Sequence, residues 1–187
     1  MANSDTPFGF RPIGSLYGGP YSGQLFKVAF EDEDSTATFI GDFVKLAGSA
    51  DTEGNPTVAQ CADEDTEFFG CIVSFEPDRT DLELKYRVAS TARTAYIAPC
   101  VAGALFVGQV DASVAVTDIG NTADIVVGSG NTTTGVSAME VLSSSFGSAT
   151  NLHVIALYQS PDNEFGTNAK LIVRVNENSI SGVGAGQ

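Results

Sequence analysis

Basic residues are scarce in this chain. Nine Lys and Arg stand against 23 Asp and Glu in 187 residues, a net charge of −14. A field of that sign repels phosphate backbones, so no direct contact with nucleic acid is expected. Histidine occurs once, as His153 within NLHVIALY. A zinc site needs about four Cys, His or acidic ligands at short spacings, and the chain offers no such set. Cysteine occurs three times, as Cys61, Cys71 and Cys100. The odd count excludes a complete disulfide framework, and packing is the simplest role for all three thiols and for His153. No apolar run reaches the roughly 20 residues that span a bilayer, so no membrane partner is expected. The opening MANSDTPFGFRP lacks a basic region and an apolar stretch, so no secretory leader is expected and the thiols stay reduced.

Catalytic signatures are equally thin. GxSxG is absent, so a serine nucleophile would have only His153 as its base. The string GSGNTTTG (128–135) lacks the lysine of a phosphate-binding loop. The acidic runs EDED (31–34) and DED (63–65) lack the DxDxDG spacing of a calcium loop and read as solvated surface. No cofactor and no metal are expected, and a metal-dependent or hydrolytic enzyme would rest on acid abundance alone.

What is present is β-structure. Hydrophobic residues make up 43% of the chain, enough for a core. Short runs rich in Val, Ile, Thr, Phe and Tyr recur between Gly, Asp, Asn, Ser and Pro. They predict strands over 24–30, 37–40, 43–46, 57–60, 68–75, 84–88, 94–98, 104–110, 123–127, 138–142, 152–158 and 169–175. In AKLIVRV the alternation sets Leu171, Val173 and Val175 on a core face and Lys170, Ile172 and Arg174 on the other. Helix signals are weak, and at most a short helix would fit in 111–119 or near 160–168. IGDF (40–43) and EGNP (53–56) carry turn chemistry, and GSGNTTTG reads as an exposed loop or hairpin tip. Its Asn131-Thr132-Thr133 sequon carries no meaning without secretion. No fixed-period repeat and no central linker are visible. The predicted fold is all-β, a compact β-barrel or jelly-roll-like β-sandwich with an extended N-terminal arm. Its divisions are the arm at 1–23, a β-rich domain at 24–178 and a flexible Gly/Ser tail at 179–187. The arm holds Pro7, Pro12 and Pro20, and its aromatics Phe8, Phe10, Tyr17 and Tyr21 are the candidate anchors on a neighbouring subunit. Deleting 2–22 should then leave the β core folded while weakening attachment.

Several blocks resemble the small head decoration or cement proteins of tailed bacteriophages. These are MANSDTPFGFRPIGSLYGGPYSGQ, GDFVKLAGSADTEGNPTVAQC followed by FFGCIVSFEPD, STARTAYIAPC, DIGNTADIVVGSGNTTTGVSAMEV and SPDNEFGTNAKLIVRVN, together covering roughly 1–177. The order of the blocks is more telling than any one of them. The three cysteines and the tail beyond Asn178 depart from the pattern. The resemblance implies a non-enzymatic virion component on the outer surface of the phage head, assembled in the host cytoplasm. It would clamp neighbouring major capsid protein subunits and self-associate, commonly as a homotrimer. A second reading is another virion part, such as a head fibre, vertex or tail protein whose 128–135 loop meets a host glycan. Copy number separates them: hundreds per particle for decoration, a dozen or fewer for a vertex or tail.

Overall fold

The computed structural model describes residues 3–63 and 65–179. The fold is all-β. Its strands are β1 (Arg11–Ser15), β2 (Phe26–Phe30), β3 (Phe43–Ala50), β4 (Pro56–Gln60), β5 (Gly70–Phe75), β6 (Arg93–Pro99), β7 (Ala104–Gln109), β8 (Ser113–Val114), β9 (Thr122–Val126), β10 (Glu140–Leu142), β11 (Leu152–Leu157), β12 (Gly166–Thr167) and β13 (Lys170–Val175). Single 3-10 turns at Val116–Asp118 and Ser143–Ser145 are the helical elements among the described residues.

Strands β2, β4, β3, β5 and β6 close into a barrel, with β2 and β4 meeting in parallel at Ala29 and Thr57. Alternation along these strands fills its interior with Val28, Phe30, Val44, Val58, Ile72, Ala95 and Ile97. The other large sheet has the order β1-β7-β13-β11-β9-β10 and curls until β10 returns to β7 through a parallel bridge from Val110 to Val141. Its inner face carries Phe106, Ile125, Leu152, Val154, Leu171 and Val173, all fully buried. The alternation expected for β13 holds: Leu171, Val173 and Val175 face this core.

The two units share one topology, a repeat that no sequence period announces. The barrel order β2-β4-β3-β5-β6 is matched strand for strand by β7-β10-β9-β11-β13, with the same parallel closure and the same antiparallel neighbours. Local details match too. Gly41 N–H donates to the Ile72 carbonyl and Ile72 N–H to that of Asp42, both at 2.9 Å; Gly120 donates to Val154 and Val154 to Asn121, also both at 2.9 Å. Each unit bulges one step after that residue, between Ile72 and Ser74 and between Val154 and Ala156. The hairpin turns agree as well: Asp51 Oδ1 accepts the N–H groups of Glu53 and Asn55, and Asn131 Oδ1 those of Thr133 and Thr134. Strand order and hydrogen bonding repeat while side chains have diverged, which is why the repeat is invisible as a sequence period.

The units stack through one face of the barrel. Opposite Val44, Ile72 and Ile97, the residues Phe43, Cys71 and Ala98 pair across β3, β5 and β6 and point out of the barrel. They are buried in the common core with Cys61, Phe68, Cys100 and Phe106. Phe43 meets Phe106 edge-on, centroids 5.3 Å apart. All three cysteines are therefore packing residues with free, buried thiols, and burial pushes each thiol well above its ordinary range.

Two expectations need correction, and a third is left outside the described residues. Residues 3–23 do not form a separate arm: β1 pairs with β7, and Phe10 is 1% exposed in the common core. The physical reason is that Gly108 leaves room for the ring, since a Cβ there would lie 2.4 Å from Phe10. The strands expected at 37–40 and 84–88 reduce to isolated bridges, Thr38–Arg87 between them and Ile40–Val136 beyond, because the Arg87 side chain turns into the protein and gathers the surrounding loop onto itself. The tail expected at 179–187 lies outside the described residues except for Ser179.

Candidate partner interface

The N-terminal segment and the start of the barrel build an apolar surface. After β1 the chain reverses through Gly18 and Gly19, and Tyr21 N–H returns to the Ile13 carbonyl at 3.1 Å. Positive φ at both glycines allows the reversal. The tip of this turn is Leu16 and Tyr17, 48% and 81% exposed. Leu16 N–H donates to the Gly103 carbonyl at 2.8 Å, and the Tyr17 ring covers Gly103 so closely that a Cβ there would lie 2.5 Å from it. Beside them Val101 is exposed, and Cys100 N–H donates to the Phe69 carbonyl at 2.9 Å. Phe69 in turn meets Phe26 edge-on at 5.8 Å, next to exposed Leu25. A hollow of about 290 Å³ lies in this region, lined by Pro20, Tyr21, Gln24, Pro99, Val101 and Ala104 among others. It has no charged residue in its lining, in a chain of net charge −14.

The four anchors expected from the sequence fall in four places. Tyr17 forms the exposed tip. Tyr21 lines the hollow, half-buried, with its hydroxyl donating to the Gln24 carbonyl at 2.6 Å. Burial, with a smaller push from Cys71, raises its pKa, so the hydroxyl stays a neutral donor. Phe8 lies away from them, half-buried under the Arg11 guanidinium at 4.9 Å. Phe10 is a core residue and unavailable to a partner, which corrects its expected role; its ring lies 4.5 Å from that of Phe43. Sequence reasoning missed Leu16, Leu25, Phe26, Phe69 and Val101. Only the Leu25-Phe26 pair, inside the strand expected at 24–30, gave a signal, and simple alternation would set Phe26 on the same face as Val28 and Phe30.

The other polar clusters are held by internal contacts. A mixed-charge cleft includes Lys27, Glu53, Glu76, Asp78 and Arg93, but Lys27 pairs with Glu53 at 2.9 Å and Arg93 binds the Glu76 and Leu84 carbonyls. Among the described residues no three His, Cys, Asp or Glu are grouped to hold a metal ion. The exposed turn at 131–134 is held by Asn131, as expected for a hairpin tip.

Two carboxyls titrate near neutrality. Asp42 is pushed up to about 6 by burial, against opposing hydrogen bonds from Ser137, Phe39 and Gln60. Glu140 is pushed up to about 7 by burial and then by Asp5 and Asp111. In each case the folded pKa exceeds the unfolded one. The stabilising protonated form is therefore complete below about pH 4 and lost as pH rises through 6 and 7. The protein is expected to melt higher at pH 5.5 than at pH 8, by on the order of 5 °C, with Asp42→Asn flattening the acid half of the profile. Calorimetry across this range checks it; a melting temperature that rises from pH 5.5 to 8 would refute it.

No family model, no curated protein and no solved structure matches this chain.

Proposed function

We propose that the protein is a decoration or cement protein of a tailed-phage head, with no bond-making chemistry of its own. It would bind the outer surface of the shell, most simply as a homotrimer, and clamp neighbouring major capsid protein subunits. The observation that carries this reading is the exposure of Leu16, Tyr17, Val101, Leu25 and Phe26 around a hollow with no charged lining, five of the large hydrophobic side chains left exposed on an otherwise strongly acidic molecule. Large apolar side chains left in water and linked through neighbouring backbone contacts commonly mark a surface that meets another protein. The order of the sequence blocks supports the same reading.

Burying that patch supplies stabilisation of about 25 cal/mol per Å² of apolar area, with no need for covalent linkage. The remaining acidic surface would keep decorated particles apart in solution. The test compares particles with and without the protein during heating. Decorated heads are expected to rupture at the higher temperature, and equal rupture temperatures would overturn the proposal.

A further inference from the structure

The internal repeat shows what the exposed end of the barrel is shaped to receive. In the first unit Phe26 pairs with Ile97; in the second, Phe106 pairs with Val173. Ile97 faces Ile72 and Val173 faces Val154, each just before the shared bulge. Phe26 and Phe106 are thus equivalent positions. Their surroundings are opposite: Phe106 is fully buried and Phe26 is 45% exposed. Phe106 is sealed in the core it shares with the outward row of the first barrel, Phe43–Cys71–Ala98, and the Phe43 ring meets it directly. One unit's strand-start end is capped by another unit's apolar outer face, and the barrel's own strand-start end has no such cap among the described residues.

The cap cannot come from a second copy stacked in the same way. The row equivalent to Phe43–Cys71–Ala98 in the second unit is Thr122–His153–Arg174, as the pairings of His153 with Thr122 and Arg174 establish. Those residues are polar and only half-buried. Covering Phe26 with them would bury an arginine and a histidine against an aromatic ring at high desolvation cost. The substitution also blocks an open head-to-tail filament, the usual hazard of a heterologous contact. We infer that the end of the barrel formed by Leu25, Phe26 and Phe69, continuous with Val101 and Tyr17, receives an apolar outer sheet face of a different protein. This rests on the reading as a decoration protein, and the partner is then the shell subunit. Given the net charge of −14, its apolar face would carry cations at its rim.

The experiment uses the full chain and heads of the parent phage lacking it. Phe26→Glu is expected to stay folded, because the side chain is already partly in water, with a melting temperature lowered by the lost Phe69 contact, and to keep the wild-type oligomeric state by sedimentation. Its attachment to heads should weaken by at least about 30-fold, as for a central aromatic at an interface. Leu82→Glu, at a position 81% exposed in the loop between β5 and β6, should attach like wild type. Val101→Glu repeats the test should Phe26→Glu fold poorly. Undiminished attachment of the folded variants overturns the inference alone. Dissociation of the oligomer by Phe26→Glu would make the patch a self-interface and overturn it as well. Wild-type protein that ignores the heads overturns the decoration reading, and the shell partner with it.

Discussion

Replacing Arg87 by Ala is expected to destabilise the fold by about 3–5 kcal/mol, the cost typical of breaking a buried charge network. The side chain is fully buried, and its guanidinium is saturated. Nε donates to the Thr91 carbonyl at 2.8 Å; Nη1 donates to the Thr36 carbonyl at 2.6 Å and pairs with Asp34 Oδ2 at 3.0 Å; Nη2 donates to the carbonyls of Glu31 and Asp34 at 2.6 and 2.8 Å. The plane also lies 5.0 Å from the Phe30 ring. Alanine would strand four carbonyls and a carboxylate around a void. The acidic run 31–34, free surface by composition, is folded around this one cation. Arg87→Lys should recover only a minor part, since an ammonium cannot span five acceptors in a plane. Urea unfolding measures both, and an Arg87→Ala midpoint equal to wild type would refute the role.

Phe10→Ala should cost a similar amount, about 3–5 kcal/mol, by lost transfer energy and the cavity left behind. The ring fills the space over Gly108 and packs tilted against Phe43, centroids 4.5 Å apart, where the two units meet. Its backbone is engaged as well: Phe10 N–H donates to the Gly41 carbonyl at 2.8 Å, and its carbonyl accepts the Cys71 thiol at 3.1 Å. Deleting 2–22 removes all of this together with β1, which exposes the Ala104–Val107 edge of β7. The truncated chain is expected to lose cooperative unfolding by circular dichroism, the reverse of what a detachable arm would show. A truncated chain that melts like wild type would restore the arm. The clamp idea therefore passes from a free arm to the rigid tip at Leu16 and Tyr17, which loses less conformational entropy on binding.

Local pattern made the all-β class, most strands, the core face of β13 and the turns at 40–43, 53–56 and 128–135 legible, because alternation and turn chemistry act over a few residues. IGDF is a turn in which Gly41 has φ +100° and Asp42 accepts the Phe39 N–H at 2.8 Å, as its residues demand. Only tertiary structure decided the rest. Whether Arg87 faced water or the core depended on carbonyls over fifty positions away, and whether Phe10 was an anchor or a core residue depended on the hole at Gly108. Phe26 and Phe106 occupy equivalent positions on equivalent strands, yet one is sealed and the other open, because burial is settled by which unit has a neighbour. Strand order repeats through backbone hydrogen bonds that any side chain can accompany, so a duplicated topology outlives its sequence signal. Contacts between distant segments carry no local period, and there the sequence by itself is silent.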